Sequence, residues 1–411
     1  MHSFRTCGLP QLFAVFARQC DQLDWWQVRI FISAGEASGD LYASSLVEAL
    51  KARHPEAEFF GCAGPRMQAA GVRAVVDQRS LAVVGIIEVI PHIPRILGEM
   101  KKLERACAAE PPDVAILTDS PSFHLPLARK LHKQGVPIVY LVAPQAWAWK
   151  TGRVKTMRAT LQSLLCIFPF EEDFFRGHGV PAEYIGHPLS RLAKPKLTRA
   201  EFCSKLGVPE VSRIVAVLPG SRQGEVARHL PIVLDAAKRL KDRHSVTFVL
   251  ALPAGFGLEN TRFWKPVQAA DIKVIEGHTW DTLAQAELAL AASGTVTIEA
   301  AMLGTPMVTF YRVNALSWYL QRWRVRTPFL TMVNLVAGRL VVPELIQEEM
   351  TAERISAAVL PLLENTVARQ TMSAGLLEVK TMLGSERDPM ETAADWVEKA
   401  WVTSGERVHA K

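Results

Sequence analysis

Short apolar runs rich in β-branched residues recur along this chain. Most are bounded by Gly or Pro and separated by stretches of helical length, and this alternation constrains the fold more than any other feature. In the first half the runs span residues 28–33, 114–118, 137–142 and 164–168, and in the second 214–218, 246–252, 272–275, 289–292 and 307–310. Strands separated by helical lengths are joined by crossovers rather than hairpins, so the reading is α/β with parallel sheets. Between the two series lies "LSRLAKPKLTRAEF", basic and Pro-bearing like a linker. A chain of 411 residues exceeds one typical core. The expectation is two Rossmann-like, doubly wound domains facing a central cleft, over residues 28–190 and 191–371. Residues 372–411 read as a helical segment that either returns to the first domain or closes the second. Residues 1–27 carry no glycine loop or strand of the pattern and read as an extension outside the core. In such sheets ligands sit beyond the carboxyl ends of the strands.

Charge narrows the partners. Lys and Arg total 47 against 41 Asp and Glu, a net +6, which suits an anionic partner. The basic residues are dispersed and interleave with apolar positions, which argues against nucleic acid. Six scattered cysteines without a C-x-x-C pair give no disulfide framework or zinc site. No apolar run reaches the roughly 20 residues that a membrane-spanning helix needs.

Four strand-end loops carry chemistry. "FISAGEASGD" follows the first strand, yet it is neither G-x-G-x-x-G nor a P-loop, and Glu36 and Asp40 would repel a phosphate. "VLPGSRQGE" places Gly220, Ser221 and Arg222 between a strand and a helix. Free N–H groups at the helix start and the Arg222 fork suit a phosphate, and a plain turn with a surface arginine is the other reading. "LAASGTVTIE" sets Ser293, Gly294 and Thr295 at a second helix start, with Glu299 one turn beyond, within reach of ribose hydroxyls. A capped helix alone accounts for the same residues. "ILTDSPSFH" ends a strand at Asp119, either a general base at the cleft mouth or a turn residue, with His124 as a rival base.

Two stretches bear on a membrane. Residues 81–97 are dense in apolar side chains, and Val83, Val84, Ile86 and Ile87 form either buried core or an acyl-chain groove. In "ALSWYLQRWRVRTPFL", Leu316, Tyr319, Leu320 and Trp323 share one helical face beside Arg322, Arg324 and Arg326. That is an interfacial helix on an anionic leaflet or a helix packed on its own domain. Trp147 and Trp149 read as walls of the cleft.

The blocks "SAGEASGD", "GCAGPRM", "LAVVGIIEV", "APQAWAW", "FPFE", "YIGHP", "LPGSRQGE", "ASGTVTIE", "VNLVAGR" and "VPELIQEE", in that order from about residue 28 to about 365, resemble the lipid-A-disaccharide synthase family. The resemblance implies the GT-B architecture and transfer of a diacylated glucosamine from UDP to a diacylglucosamine 1-phosphate, with inversion, no metal and no cofactor. It assigns Gly220, Ser221 and Arg222 to the diphosphate, Ser293, Gly294 and Thr295 to the nucleotide pocket and Glu299 to the ribose. Asn334 and Gln347 lie in stretches placed near the nucleotide sugar. Asp119 falls in an Asp-x-Pro-x-Phe pattern as the base. Glu36, Ser38 and Gly39 belong to the acceptor side, where Glu36 and Asp40 either bond sugar hydroxyls or order the loop. Two acylated substrates imply peripheral contact, through Trp323, Arg322 and the 81–97 run, with an anionic membrane on the cytoplasmic face of a bacterial inner membrane. A UDP-N-acetylglucosamine 2-epimerase would use a similar fold, but a soluble sugar needs no acyl groove. A non-catalytic nucleotide-sugar or lipid-binding protein would need no Asp119. No feature of the sequence sets the oligomeric state.

Overall fold

The structure, a computed structural model, describes residues 28–81, 90–149, 152–315, 318–319 and 327–409. Seven parallel strands build the first sheet: β1 (Arg29–Ala34), β2 (Glu58–Ala63), β3 (Arg73–Asp77), β4 (Val114–Thr118), β5 (Ile138–Leu141), β6 (Ser163–Cys166) and β7 (Ala182–Tyr184), in the order β3-β2-β1-β4-β5-β6-β7. Six parallel strands build the second: β8 (Ile214–Leu218), β9 (Thr247–Leu252), β10 (Lys273–Glu276), β11 (Leu288–Ala292), β12 (Met307–Tyr311) and β13 (Glu344–Ile346), in the order β10-β9-β8-β11-β12-β13. The two sheets repeat one topology. Each reverses direction between its first and fourth strands.

Helices cover both faces of each sheet, so the central strands β4, β8 and β11 are buried along their whole length and read as unbroken apolar runs. The strands that the alternation did not announce are β2, β3, β7 and β13. Two of these have only three residues. β3 is mostly solvent-facing, and β2 is interrupted by Gly61. Gly61 has φ 153°, and a Cβ there would stand 2.0 Å from the Ile32 carbonyl oxygen, so close approach of β1 demands glycine. The β2–β3 register slips between Gly61 and Cys62.

The helices that position the site and tie the halves together are α1 (Ala37–Arg53), α2 (Pro65–Ala69), α3 (Pro121–Lys133), α4 (Gln223–Lys241), α5 (Thr295–Leu303), α6 (Met332–Ala337) and α7 (Pro389–His409). After the second sheet the chain crosses back, and α7 packs on α1 and the ends of β4, β5 and β6. Ala393, Ala394 and Val397 are fully buried there. Arg53 of α1 anchors the contact: its Nη1 reaches Asp395 at 2.8 Å and Glu398 at 3.1 Å, and its Nη2 pairs with Glu391. The two crossings between halves touch each other. The His187 N–H donates to the Leu383 carbonyl at 3.0 Å, and Arg191 donates to the carbonyls of Ser385 and Glu386 at 3.2 and 3.1 Å.

Candidate active site

Parallel register explains why the first-half residues meet. Ala34 at the end of β1 is level with Thr118 at the end of β4. The loops that follow diverge to opposite faces, leaving a crevice at the switch point. Asp119 sits there in a left-handed conformation (φ 53°), followed by Ser120 (φ 35°). Two consecutive non-glycine residues in this region store backbone strain, which persists only where surroundings enforce it. Tyr140 Oη and His124 Nδ1, the latter at 3.0 Å, both donate to the Asp119 carbonyl. His124 Nε2 is bonded to Ser33 Oγ at 2.8 Å. Burial lowers the His124 pKa to about 4. A buried, neutral imidazole with both nitrogens engaged is a strut under Asp119, not a base facing the cleft.

The Asp119 carboxylate turns toward the start of α1. Oδ1 accepts the Gly35 N–H at 2.9 Å and Oδ2 the Glu36 N–H at 3.0 Å. The glycines of this loop make the fit possible, since a Cβ on Gly39 would lie 1.7 Å from Oδ2. Desolvation, then the Glu36 charge, raises the Asp119 pKa well above the usual carboxylate range, against the two N–H bonds and Ser120. Asp40 turns elsewhere. Its carboxylate accepts the N–H groups of Arg66 and Met67 at 3.0 and 3.1 Å, capping α2. Of the two acids in "GEASGD", Asp40 orders the fold and Glu36 reaches across the cleft. Ser38 is half-buried in the first turn of α1.

In the second half the same topology brings two loops together, because Leu218 of β8 is level with Ala291 of β11. Gly220 (φ 130°) turns the chain ahead of α4. Glu225 of α4 folds back so that one oxygen accepts the Ser221 N–H at 3.1 Å and the other pairs with Arg222 at 3.2 Å. The remaining arm of Arg222 meets Glu36 of the first half at 2.6 Å. Burial works against the Arg222 charge, and the Glu36 and Glu225 carboxylates overcome it, so its pKa is raised. His229 fastens this loop to the one after β12: Nδ1 bonds the Pro219 carbonyl at 2.6 Å and Nε2 accepts the Arg312 N–H at 3.0 Å.

Beyond β11, Ser293 and Gly294 lead into α5, which begins at Thr295, and the space about Gly294 is open. Glu299 faces the first half. Burial raises its pKa to about 7, against a hydrogen bond from Trp280 and the charge of Arg66. Asn334 is fully buried, and its amide is consumed by Val341, Val342 and Glu344. Gln347 (φ 55°) accepts the Val313 N–H at 2.8 Å. Both side chains thus brace loops of the second half, Asn334 through the Val341–Val342 backbone and the Glu344 carboxylate and Gln347 through the Val313 N–H. Trp147 donates to the buried Glu171 at 3.1 Å and stacks edge-on to Phe170, forming a braced wall beside the cleft.

The structure thus brings Asp119, Glu36, Gly39, Gly220, Ser221 and Arg222 to one crevice between the halves. It adds Glu225, His229, Tyr140 and Trp280, which the sequence pattern did not single out. Glu225 was open to notice as the third residue of α4 after a Gly-Ser-Arg turn, but its partner loops are distant in sequence. Val83, Val84, Ile86, Ile87, Leu316, Leu320, Arg322, Trp323, Arg324 and Arg326 lie outside the described residues, as does the side chain of Trp149. Tyr319, from the same aromatic stretch, is exposed.

Two doubly wound sheets with strand-end loops converging on one crevice define the GT-B class. A UDP-N-acetylglucosamine 2-epimerase from Neisseria meningitidis, solved with UDP-GlcNAc, superposes with a TM-score of 0.60 at 13% identity, covering 92% of this chain and 100% of that one. A spinosyn rhamnosyltransferase solved with thymidine diphosphate gives a TM-score of 0.57 at 14% identity, over 90% and 99% of the two chains. These likenesses concern the fold. The sequence goes further: the family model described as lipid-A-disaccharide synthetase matches residues 30–395. Lipid-A-disaccharide synthases from Solibacter usitatus and Koribacter versatilis are 57% and 42% identical, covering 86% and 92% of this chain and 93% and 99% of their own lengths. The chain belongs to the lipid-A-disaccharide synthetase family.

Proposed function

We propose that this chain transfers a 2,3-diacylglucosamine from UDP to the 6-hydroxyl of 2,3-diacylglucosamine 1-phosphate, releasing UDP and forming the β-1,6-linked disaccharide 1-phosphate. Family membership over nearly the whole chain carries the reading. The crevice supports it. Arg222 and the N–H groups of the 219–222 loop face the donor diphosphate, with Ser293, Gly294 and Thr295 on the neighbouring loop. Charge building on the leaving diphosphate is met by Arg222. Asp119, on the opposite half, takes the proton of the attacking 6-hydroxyl as the O6–C1 bond forms and the C1–diphosphate bond breaks, so the anomeric configuration inverts. A base with raised proton affinity suits a hydroxyl that loses its proton only as the new bond forms.

Both substrates carry acyl chains, so the enzyme works against a lipid surface. Among the described residues no helix is long and apolar enough to cross a membrane. Ile93 and Leu97 are exposed, 42% and 51%, beside Arg95, Lys101, Lys102 and Arg105. Apolar side chains flanked by cations suit peripheral contact with the anionic cytoplasmic face of a bacterial inner membrane. The test is incubation of purified protein with UDP-diacylglucosamine and the acylated 1-phosphate. Equal amounts of UDP and β-linked disaccharide support the reading. Epimerised or hydrolysed donor without disaccharide refutes it.

A further inference from the structure

On the 219–222 loop the Ser221 N–H and both terminal nitrogens of Arg222 are already engaged by carboxylates. Glu225 takes the Ser221 N–H at 3.1 Å and one arm of Arg222 at 3.2 Å. Glu36 takes the other arm at 2.6 Å. The two acids are held differently. The Glu225 side chain is 11% exposed and belongs to the same helical turn as the loop it satisfies. The Glu36 side chain is 43% exposed and comes from the other half of the protein. A diphosphate that engages Arg222 must displace one of them, and Glu36 is the one free to leave.

We infer that Glu36 is an interdomain latch: its carboxylate occupies Arg222 until the donor diphosphate takes its place, and its release delivers an uncompensated negative charge beside Asp119. The inference rests on the diphosphate assignment made for Arg222. Glu36 cannot drift far once released, because its backbone N–H stays bonded to Asp119 Oδ2 at 3.0 Å. While latched, the Glu36 charge is offset by Arg222. Once Arg222 is committed to phosphate, Asp119 faces that charge without its counter-ion, and a like charge nearby strengthens a carboxylate's hold on a proton. The Glu36 charge already contributes to the raised Asp119 pKa in the latched arrangement. Donor binding thereby makes Asp119 a stronger base on the side where the acceptor hydroxyl arrives. Glu36 acts through Arg222 and Asp119 and is a positioning residue.

Calorimetric titration with UDP tests this on the full chain. Glu36→Gln removes the competing charge, so UDP should bind roughly two- to fivefold more tightly, the range expected for losing a partly exposed ion pair. Glu36→Asp, too short to span to Arg222, should tighten binding likewise and covers the case in which Glu36→Gln does not fold. With Arg222→Ala already present, Glu36→Gln should have no effect on UDP. In the transfer reaction Glu36→Gln should lower the donor KM and also lower kcat, a split that simple loss of structure does not produce. Parent binding with unchanged or weaker UDP affinity in both Glu36 variants overturns the latch. Failure of the parent to bind UDP at all overturns instead the diphosphate assignment on which the latch rests.

Discussion

Asp119 and Glu36 are joined by a single hydrogen bond, from the Glu36 N–H to Asp119 Oδ2 at 3.0 Å, while the Glu36 carboxylate pairs with Arg222 at 2.6 Å. One residue thus touches the proposed base through its backbone and the 219–222 loop through its side chain. In the loop after the first strand, the glycines admit the Asp119 carboxylate, Asp40 caps the next helix, and Glu36 spans the cleft.

Gly39→Ala should slow transfer on the order of 10²-fold. The added methyl would stand 1.7 Å from Asp119 Oδ2, so the carboxylate must move. Displacement of a reacting group by about 1 Å costs on the order of 10²-fold in rate. The contrasting variant is Gly294→Ala, whose methyl meets nothing within 4 Å. It should leave the thermal midpoint unchanged and weaken UDP binding, because the new group narrows the donor side. Isothermal titration and thermal melts of both variants check the pair.

Tyr140→Phe removes one of the two donors that hold the Asp119 carbonyl in its left-handed conformation. Loss of such a buried bond costs about 1–3 kcal/mol when the acceptor is left partly unsatisfied. Stability in urea should fall by that order. kcat should fall while the donor KM stays near the parent value, since Tyr140 lies wholly in the first half.

Glu299 gives a pH signature. Its folded-state pKa is raised to about 7 by burial. Between the ordinary glutamate value and about pH 7 the folded protein keeps a proton that the unfolded chain releases. The contribution of Glu299 to stability therefore declines as pH rises through that window and stays lost above it. Glu299→Gln abolishes the decline. Denaturation should show the variant gaining on the parent by about 1–3 kcal/mol between pH 4.5 and 8. A difference that stays constant across this range contradicts the assignment.

Much of the architecture was legible because buried parallel strands must be apolar throughout, and β4, β8 and β11 announce themselves that way. β7 and β13 were not legible, since three residues carry no period. The 219–222 loop, to which the donor diphosphate is assigned in the proposed function, was readable from Gly220, Ser221 and Arg222, which follow a strand and precede a helix. Its carboxylate partners were not, because Glu36 lies 186 residues from Arg222 and only the packing of the two halves joins them. Asn334 and Gln347 read as polar groups near the nucleotide; what their side chains bond, the Val341 and Val342 backbone and the Glu344 carboxylate for Asn334 and the Val313 N–H for Gln347, was not legible. A sequence shows that a side chain can form such bonds but not where the partner stands.

Arg53→Gln should loosen α7 from the first half. Arg53 is 23% exposed and faces three carboxylates, Glu391, Asp395 and Glu398, which would then repel one another. The expected cost is about 1–2 kcal/mol, above that of a surface pair and below that of a fully buried one. Faster proteolysis within 389–409 and a lowered urea midpoint would register it.

The most direct test of the proposed chemistry is single-turnover transfer by Asp119→Asn, with UDP affinity measured on the same preparation. As the proposed base, Asp119 acts only on the acceptor hydroxyl. The expected result is UDP binding equal to that of the parent, with disaccharide formation slowed by about 10²–10⁴-fold. Transfer at the parent rate would contradict the role assigned to Asp119, and with it the reading of this crevice as the place where the hydroxyl is deprotonated.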